Sequence, residues 1–213
     1  FRVDGPVLNN VTIKDNTATS HGGGIASYKS TMTIKESIVS NNSSFHRGGI
    51  YAWGDATTEL GGVGGVLVIE DCIVTGNVVT VNHGGGIAID GVDEVIIKRT
   101  AVVDNHANNG IGGILVEFSD VTLNNITVSG NSSTYGGSIG VGEGGNVNLT
   151  NSILWGNTDG TEEVDGEVLL ELDGSLTANY NDIEGGYGIG FGNIDADPLF
   201  TNPDSGDFTL QQG

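Results

Sequence analysis

The stretch VTLNNITVSGNSSTYGGSI at residues 121–139 decides the fold, because most of the chain is a set of variations on it. Its skeleton is Leu123, Ile126, Val128 and Asn131, then the pair Gly136 and Gly137, then Ile139. Eight residues separate the first aliphatic from the asparagine, and that interval recurs as Leu8/Asn16, Ile34/Asn42, Ile69/Asn77, Ile97/Asn105, Leu123/Asn131 and Leu149/Asn157. A second phrase follows at a variable distance: GGGI at 22–25, GGI at 48–50, GGGI at 84–87, GGI at 112–114 and GGSI at 136–139. The period runs mostly between 25 and 28 residues, the mark of stacked structural units.

Alternation inside the unit says what is stacked. Leu123, Ile126 and Val128 are bracketed by polar residues, and Ile139 and Val141 stand two apart, which is strand periodicity. Strands this short cannot each bury a face alone. Parallel pairing of coil on coil, at roughly 4.8 Å per step, buries one continuous core and gives a β-solenoid. The asparagines fit such a stack, because a side-chain amide both donates and accepts. Asn16, Asn42, Asn77, Asn105, Asn131 and Asn157 are expected to form an inward ladder, and each is preceded by Gly, Asp or Asn, as a sharp turn requires. Five residues before them, Val11, Ser37, Cys72, Thr100, Ile126 and Ser152 make a column of small or β-branched groups expected to pack like on like.

The GGGI and GGSI phrases, with the aliphatic-x-x-Asn phrase at 128–131, resemble the repeat of polymorphic outer-membrane proteins and, more broadly, secreted right-handed parallel β-helix proteins of bacteria. NIDADPLF at 193–200 followed by GDFTL at 206–210 is similar to the segment that closes the helix in many bacterial surface proteins of this kind. The chain departs from the outer-membrane repeat in using Ile or Val where that repeat favours Phe. The resemblance implies right-handedness and a secreted or cell-surface, bacterial-type setting. It implies no particular reaction, since such folds carry lyases, glycosidases, adhesins and fibres. The expected fold is all-β: a right-handed parallel β-helix of about seven coils over residues 1–197, with a capping segment, itself cut short, at 198–213. In that segment and just before it, Ile194, Leu199, Phe200, Phe208 and Leu210 are expected to form an apolar lid over the last coil.

A formal net charge of -20 with only seven Lys and Arg disfavours nucleic acid and anionic membranes. No transmembrane run is present, so no membrane insertion is expected. Calcium is the candidate cofactor, both to bridge a polyanionic substrate and for the acidic turns around Glu162, Glu163, Asp165, Glu167, Glu171 and Asp173; a solvated acidic face is the simpler account of those turns. The lone Cys72 is expected to be buried and inert. Nothing in the sequence reads out the oligomeric state.

Counting along the strand after each glycine pair puts Tyr28, Trp53, Asp90 and Glu117 at one outward position and Tyr51 at another, beside an insertion at 55–64. Tyr28, Tyr51 and Trp53 are the expected substrate-binding patch, since aromatic rings beside carboxylates suit sugars, whose C–H faces pack on rings while hydroxyls donate to acids. The ligand is then a polysaccharide or cell-surface glycan. Exposed aromatics also suit strands with no ligand at all. Asp90 and Glu117, on successive coils, are the candidate catalytic pair of a polysaccharide-active enzyme, since backbones one coil apart allow the roughly 5 Å carboxyl separation of a retaining glycosidase. A lyase is less well supported, for no basic cluster stands beside them. His21, His46 and His83 recur four residues before the aligning aliphatic and are the candidate metal column; surface decoration is the alternative, as is a structural stalk for the whole chain.

Overall fold

The computed structural model describes residues 5–55, 64–159, 168–170, 173–188 and 190–211. Each repeat makes up to four short strands, and equivalent strands pair in parallel from coil to coil. The first face stacks Val7–Asn9, Met32–Lys35, Val66–Glu70, Glu94–Lys98, Asp120–Asn124, Asn146–Thr150 and Ser175–Asn179. A second face, also seven strands deep, runs from Thr12–Lys14 to Asp182–Ile183. A third holds four two-residue strands, Thr17–Ala18 to His106–Ala107. The fourth holds six: Ile25–Tyr28, Ile50–Trp53, Ile87–Asp90, Ile114–Glu117, Ile139–Val141 and Val168–Leu170. The result is a parallel β-solenoid of about six turns, with no α-helix among the described residues.

The core is a set of like-on-like columns. Ile34, Ile69, Ile97, Leu123 and Leu149 are in register on the first face, and Val39, Val74, Val102, Val128 and Leu154 on the second, all 0% exposed. Burying each such side chain stabilises by about 1.5–3 kcal/mol relative to leaving it in water. A single coil has too few of them to stand alone, and each coil's inner surface is completed by its neighbours.

The asparagine ladder forms as the eight-residue interval predicts. Asn77 Oδ1 accepts from both the backbone N–H and the side-chain Nδ2 of Asn42, each at 3.0 Å, and the same two-donor contact links Asn16 to Asn42, Asn77 to Asn105, Asn105 to Asn131 and Asn131 to Asn157. The second Nδ2 proton reaches a carbonyl on the preceding coil, as from Asn77 to Val39 O at 3.0 Å. The residue before each asparagine is left-handed, with φ between 54° and 67°, which Asp15, Asn41, Gly76, Asp104, Gly130 and Gly156 all tolerate.

The column five residues earlier does more than pack. Ser37, Thr100 and Ser152 hydroxyls accept from the backbone N–H of Val11, Cys72 and Ile126 at 3.2–3.3 Å while donating to the carbonyl two residues before them. It is therefore a second, weaker polar ladder. Cys72, 3% exposed, sits within it, and burial pushes its thiol pKa up.

At the C-terminal end this column takes over the asparagine role: Asn181 Oδ1 accepts from Ser152 N–H, and Asn193 Oδ1 accepts from both Asn181 nitrogens. The step from Asn181 to Asn193 is 12 residues, so the last partial turn is short. Phe200–Asn202 and Asp207–Leu210 then pair antiparallel. Of the five residues expected to form an apolar lid, Phe200 is buried and Phe208 half-buried, whereas Ile194, Leu199 and Leu210 are more than half exposed. The hairpin shares a groove with Asp104, Gly130, Trp155 and Gly156, on the flank of the solenoid.

Two substitutions test these ladders. Asn105→Ala removes the acceptor shared by the Asn77 backbone N–H and Nδ2 and one of the two donors to Asn131 Oδ1, leaving only the backbone N–H of residue 105 there, and is expected to lower the unfolding free energy by about 3 kcal/mol. Ser138 stands where other coils carry glycine, and its fully buried Oγ has no partner among the described residues. Ser138→Ala is expected to raise stability by about 1 kcal/mol. Urea unfolding curves with unchanged m-values check both.

Candidate functional site

The fourth face brings the aromatic and acidic residues together. Tyr28 pairs in register with Trp53, Trp53 with Asp90, and Asp90 with Glu117, so one outward column runs aromatic, aromatic, acid, acid over four coils. Of the insertion expected at 55–64, residues 56–63 lie outside the described residues, but its base is fixed: the Asp93 carboxylate accepts from Gly64 N–H at 2.8 Å and Gly65 N–H at 3.2 Å.

The rings do not lie side by side as a flat platform. They stack on one another: Tyr51 on Trp53 with centroids 4.6 Å apart and 8° between planes, Tyr28 on Trp53 at 5.1 Å, and His21 on Tyr51 at 5.3 Å. Tyr28 is 52% exposed and Trp53 half-buried. A ligand would thus meet the rim of an aromatic ribbon, one face of which is shared with the Lys29 ammonium 5.0 Å above the Tyr28 ring.

Tyr51 differs from its expected exposure, being only 6% accessible. The reason recurs on this face. In three coils the residue three before the aligning aliphatic lies over the residue one beyond it: Gly22 on Ala26, Gly84 on Ala88, and Arg47 over Tyr51, its guanidinium carbon 5.5 Å from the ring centroid; Ile111 instead covers Gly140 of the next coil. Burial pushes the Tyr51 hydroxyl pKa up to about 12, and the hydroxyl donates to Asp90. Tyr51 therefore braces the site from beneath.

Arg47 is a residue of this cluster that the sequence analysis does not single out. It reaches across the adjacent coil to Glu117, Nη1 to Oε2 at 2.6 Å, and places Nη2 3.9 Å from Asp90 Oδ2. Its side chain is 18% exposed, so the ion pair is partly desolvated. A signal was present in the sequence: glycine occupies the equivalent position in three other coils, at 22, 84 and 136, and a large residue there must cover its neighbour. One cation facing two carboxylates leaves this cluster with a formal charge of -1.

His21 and His46 face each other with centroids 5.2 Å apart, and their Nδ1 atoms engage Ser20 Oγ and Asn82 Nδ2. Burial first, then the charges of His46 and Arg47, lower the His21 pKa. His83 lies instead against Gly110, in a small recess it shares with Glu117 and Leu115. Among the described residues no group of three or more His, Cys, Asp or Glu side chains is arranged to hold a metal ion. Of the acids suggesting calcium, Glu162, Glu163, Asp165, Glu167 and Glu171 lie outside the described residues.

Asp90 has its pKa raised above the ordinary 3.8, chiefly by burial and further by Glu117, against the lowering influence of Arg47 and the Tyr51 hydrogen bond. Between the unfolded and folded values the native state holds more of the Asp90 proton than the unfolded chain does. Its contribution is most favourable below 3.8 and declines as pH rises through the folded value. The unfolding free energy of Asp90→Asn relative to the parent is therefore expected to increase as pH rises from below 3.8 to neutrality. Arg47→Met should steepen the parent's decline over the same interval. A pH-independent difference in urea unfolding would contradict the assigned burial of Asp90.

Compared with models of known families, with curated proteins and with solved structures, the chain has no match in any of the three.

Proposed function

We propose that the chain is an extracellular or cell-surface solenoid whose fourth face binds a polysaccharide or cell-surface glycan. The observation carrying this reading is the accessible rim of the Tyr28/Trp53 ribbon directly in register with Asp90 and Glu117. Sugar C–H groups pack against the accessible ring surface of Tyr28 and Trp53 and hydroxyls donate to the two acids, which Arg47 and Tyr51 hold in place. The outward setting follows the resemblance of the repeat to those of bacterial surface β-helix proteins.

One observation favours a second reading, a polysaccharide-active enzyme that is a hydrolase before a lyase. Asp90 has its pKa raised, chiefly by burial, as suits a general acid, and a second carboxylate, Glu117, stands in register one coil away. The pairing of Glu117 with Arg47 fits a positioned acceptor equally well.

Retention on immobilised neutral and acidic polysaccharides, run beside a reducing-sugar and unsaturated-product assay with calcium and with chelator, separates the readings. Trp53→Ala is expected to weaken retention by about tenfold, the loss of one aromatic contact surface, with no product formed by the parent. Product that vanishes in Asp90→Asn and Glu117→Gln would establish the enzyme instead. Neither retention nor product would leave a structural stalk.

A further inference from the structure

A groove separate from the fourth-face cluster lies where the C-terminal hairpin meets the flank of the solenoid. We infer that the groove between them binds an organic ammonium ion carrying an apolar body. Its volume, about 590 Å³, suits a small ligand. Trp155, Phe200 and Phe208 supply its apolar wall, and Asp104 and Asp197 its charge.

Donor and acceptor accounting selects the ligand. The Ser129 hydroxyl proton is directed at Trp155 O at 2.5 Å, and Gln211 Nε2 donates to Phe200 O at 3.1 Å. Asp197 uses one oxygen on Leu199 N–H at 2.9 Å. The Asp104 carboxylate accepts no side-chain or backbone hydrogen bond from the described residues, and desolvation alone raises its pKa. Among the described residues no Lys or Arg lines the groove. Every described cation is paired elsewhere: Lys14 with Asp15, Lys29 with Asp55, Lys35 and Lys98 with Glu70, Arg47 with Glu117, and Arg99 with Asp71. The groove thus offers acceptors and two formal negative charges beside aromatic rings. An ammonium supplies the missing donors and positive charge, and its apolar body covers the rings.

The test uses the whole chain. Only two tryptophans are present, Trp53 and Trp155, so a Trp53→Phe background leaves Trp155 as the sole indole reporter. Phenethylammonium is titrated against this protein, with uncharged phenethyl alcohol as its counterpart, by Trp155 emission and by calorimetry. The expected result is saturable binding of the ammonium, about tenfold weaker for the alcohol and for Asp104→Asn, as for loss of one charge-assisted hydrogen bond. Rising salt should weaken the ammonium alone. Asp104→Asn is isosteric, and its circular dichroism is checked against the parent. Equal binding of ammonium and alcohol, indifference to Asp104→Asn, or no saturable heat with either compound would each overturn the proposal.

Discussion

A buried side-chain amide must find partners for two donated protons and an accepting oxygen away from water, and in this chain it finds them in the asparagines of the neighbouring coils and in a backbone carbonyl. Asn105 illustrates the constraint. Its Oδ1 receives two protons from Asn77 above, its Nδ2 gives one to Asn131 below and another to the Val74 carbonyl. Nothing but asparagine at the same height on the next coil completes that set. Register is then fixed absolutely at one point per turn, and everything eight residues upstream is carried into register with it. The repeat varies in length where the ladder exerts no hold: between the asparagine and the glycine phrase, and between the fourth face and the next first face, where the long second coil takes its insertion.

The same constraint explains how the regular stack ends. Past Asn157, the polar column between the first two faces takes up Asn181 and Asn193, and the period falls to 12 residues. A coil that short has no fourth strand to contribute. The apolar residues that follow it are consequently divided between an open end, with Ile194 57% exposed, and a hairpin on the flank where Phe200 finds cover.

The periodic features were legible because each is local: an aliphatic, a left-handed residue and an asparagine at fixed spacing, repeated. Strand class, stacking, the inward columns and the outward Tyr28, Trp53, Asp90 and Glu117 column all follow from alternation. Features made by side chains crossing coils were not. Arg47 contacts a residue 70 positions away, and no local pattern encodes how far a guanidinium extends across two coils. Tyr51 was misjudged because alternation gives a residue's side of the sheet and says nothing of whether a neighbouring turn covers it. The hydroxyl column was read as packing because hydroxyls and methyls have similar volume; the backbone N–H of the coil above, visible only after stacking, makes them acceptors.

Charge joins the two halves of this account. Stacked columns put like residues directly opposite, and like charges there repel. The first face avoids this by alternating sign, Lys35, Glu70 and Lys98 in register, with Glu70 held below its ordinary pKa by the two lysines. The fourth face has two acids in succession and cannot alternate, so Arg47 must come in from the adjacent turn to separate them. With that, the described cations are committed to internal partners, while acids such as Asp195 and Asp197 are exposed to solvent. A polyanion would meet an unneutralised negative surface at the aromatic ribbon and at the flank groove alike. Neutral glycans at the first and cations at the second are the ligand classes this distribution leaves electrostatically open.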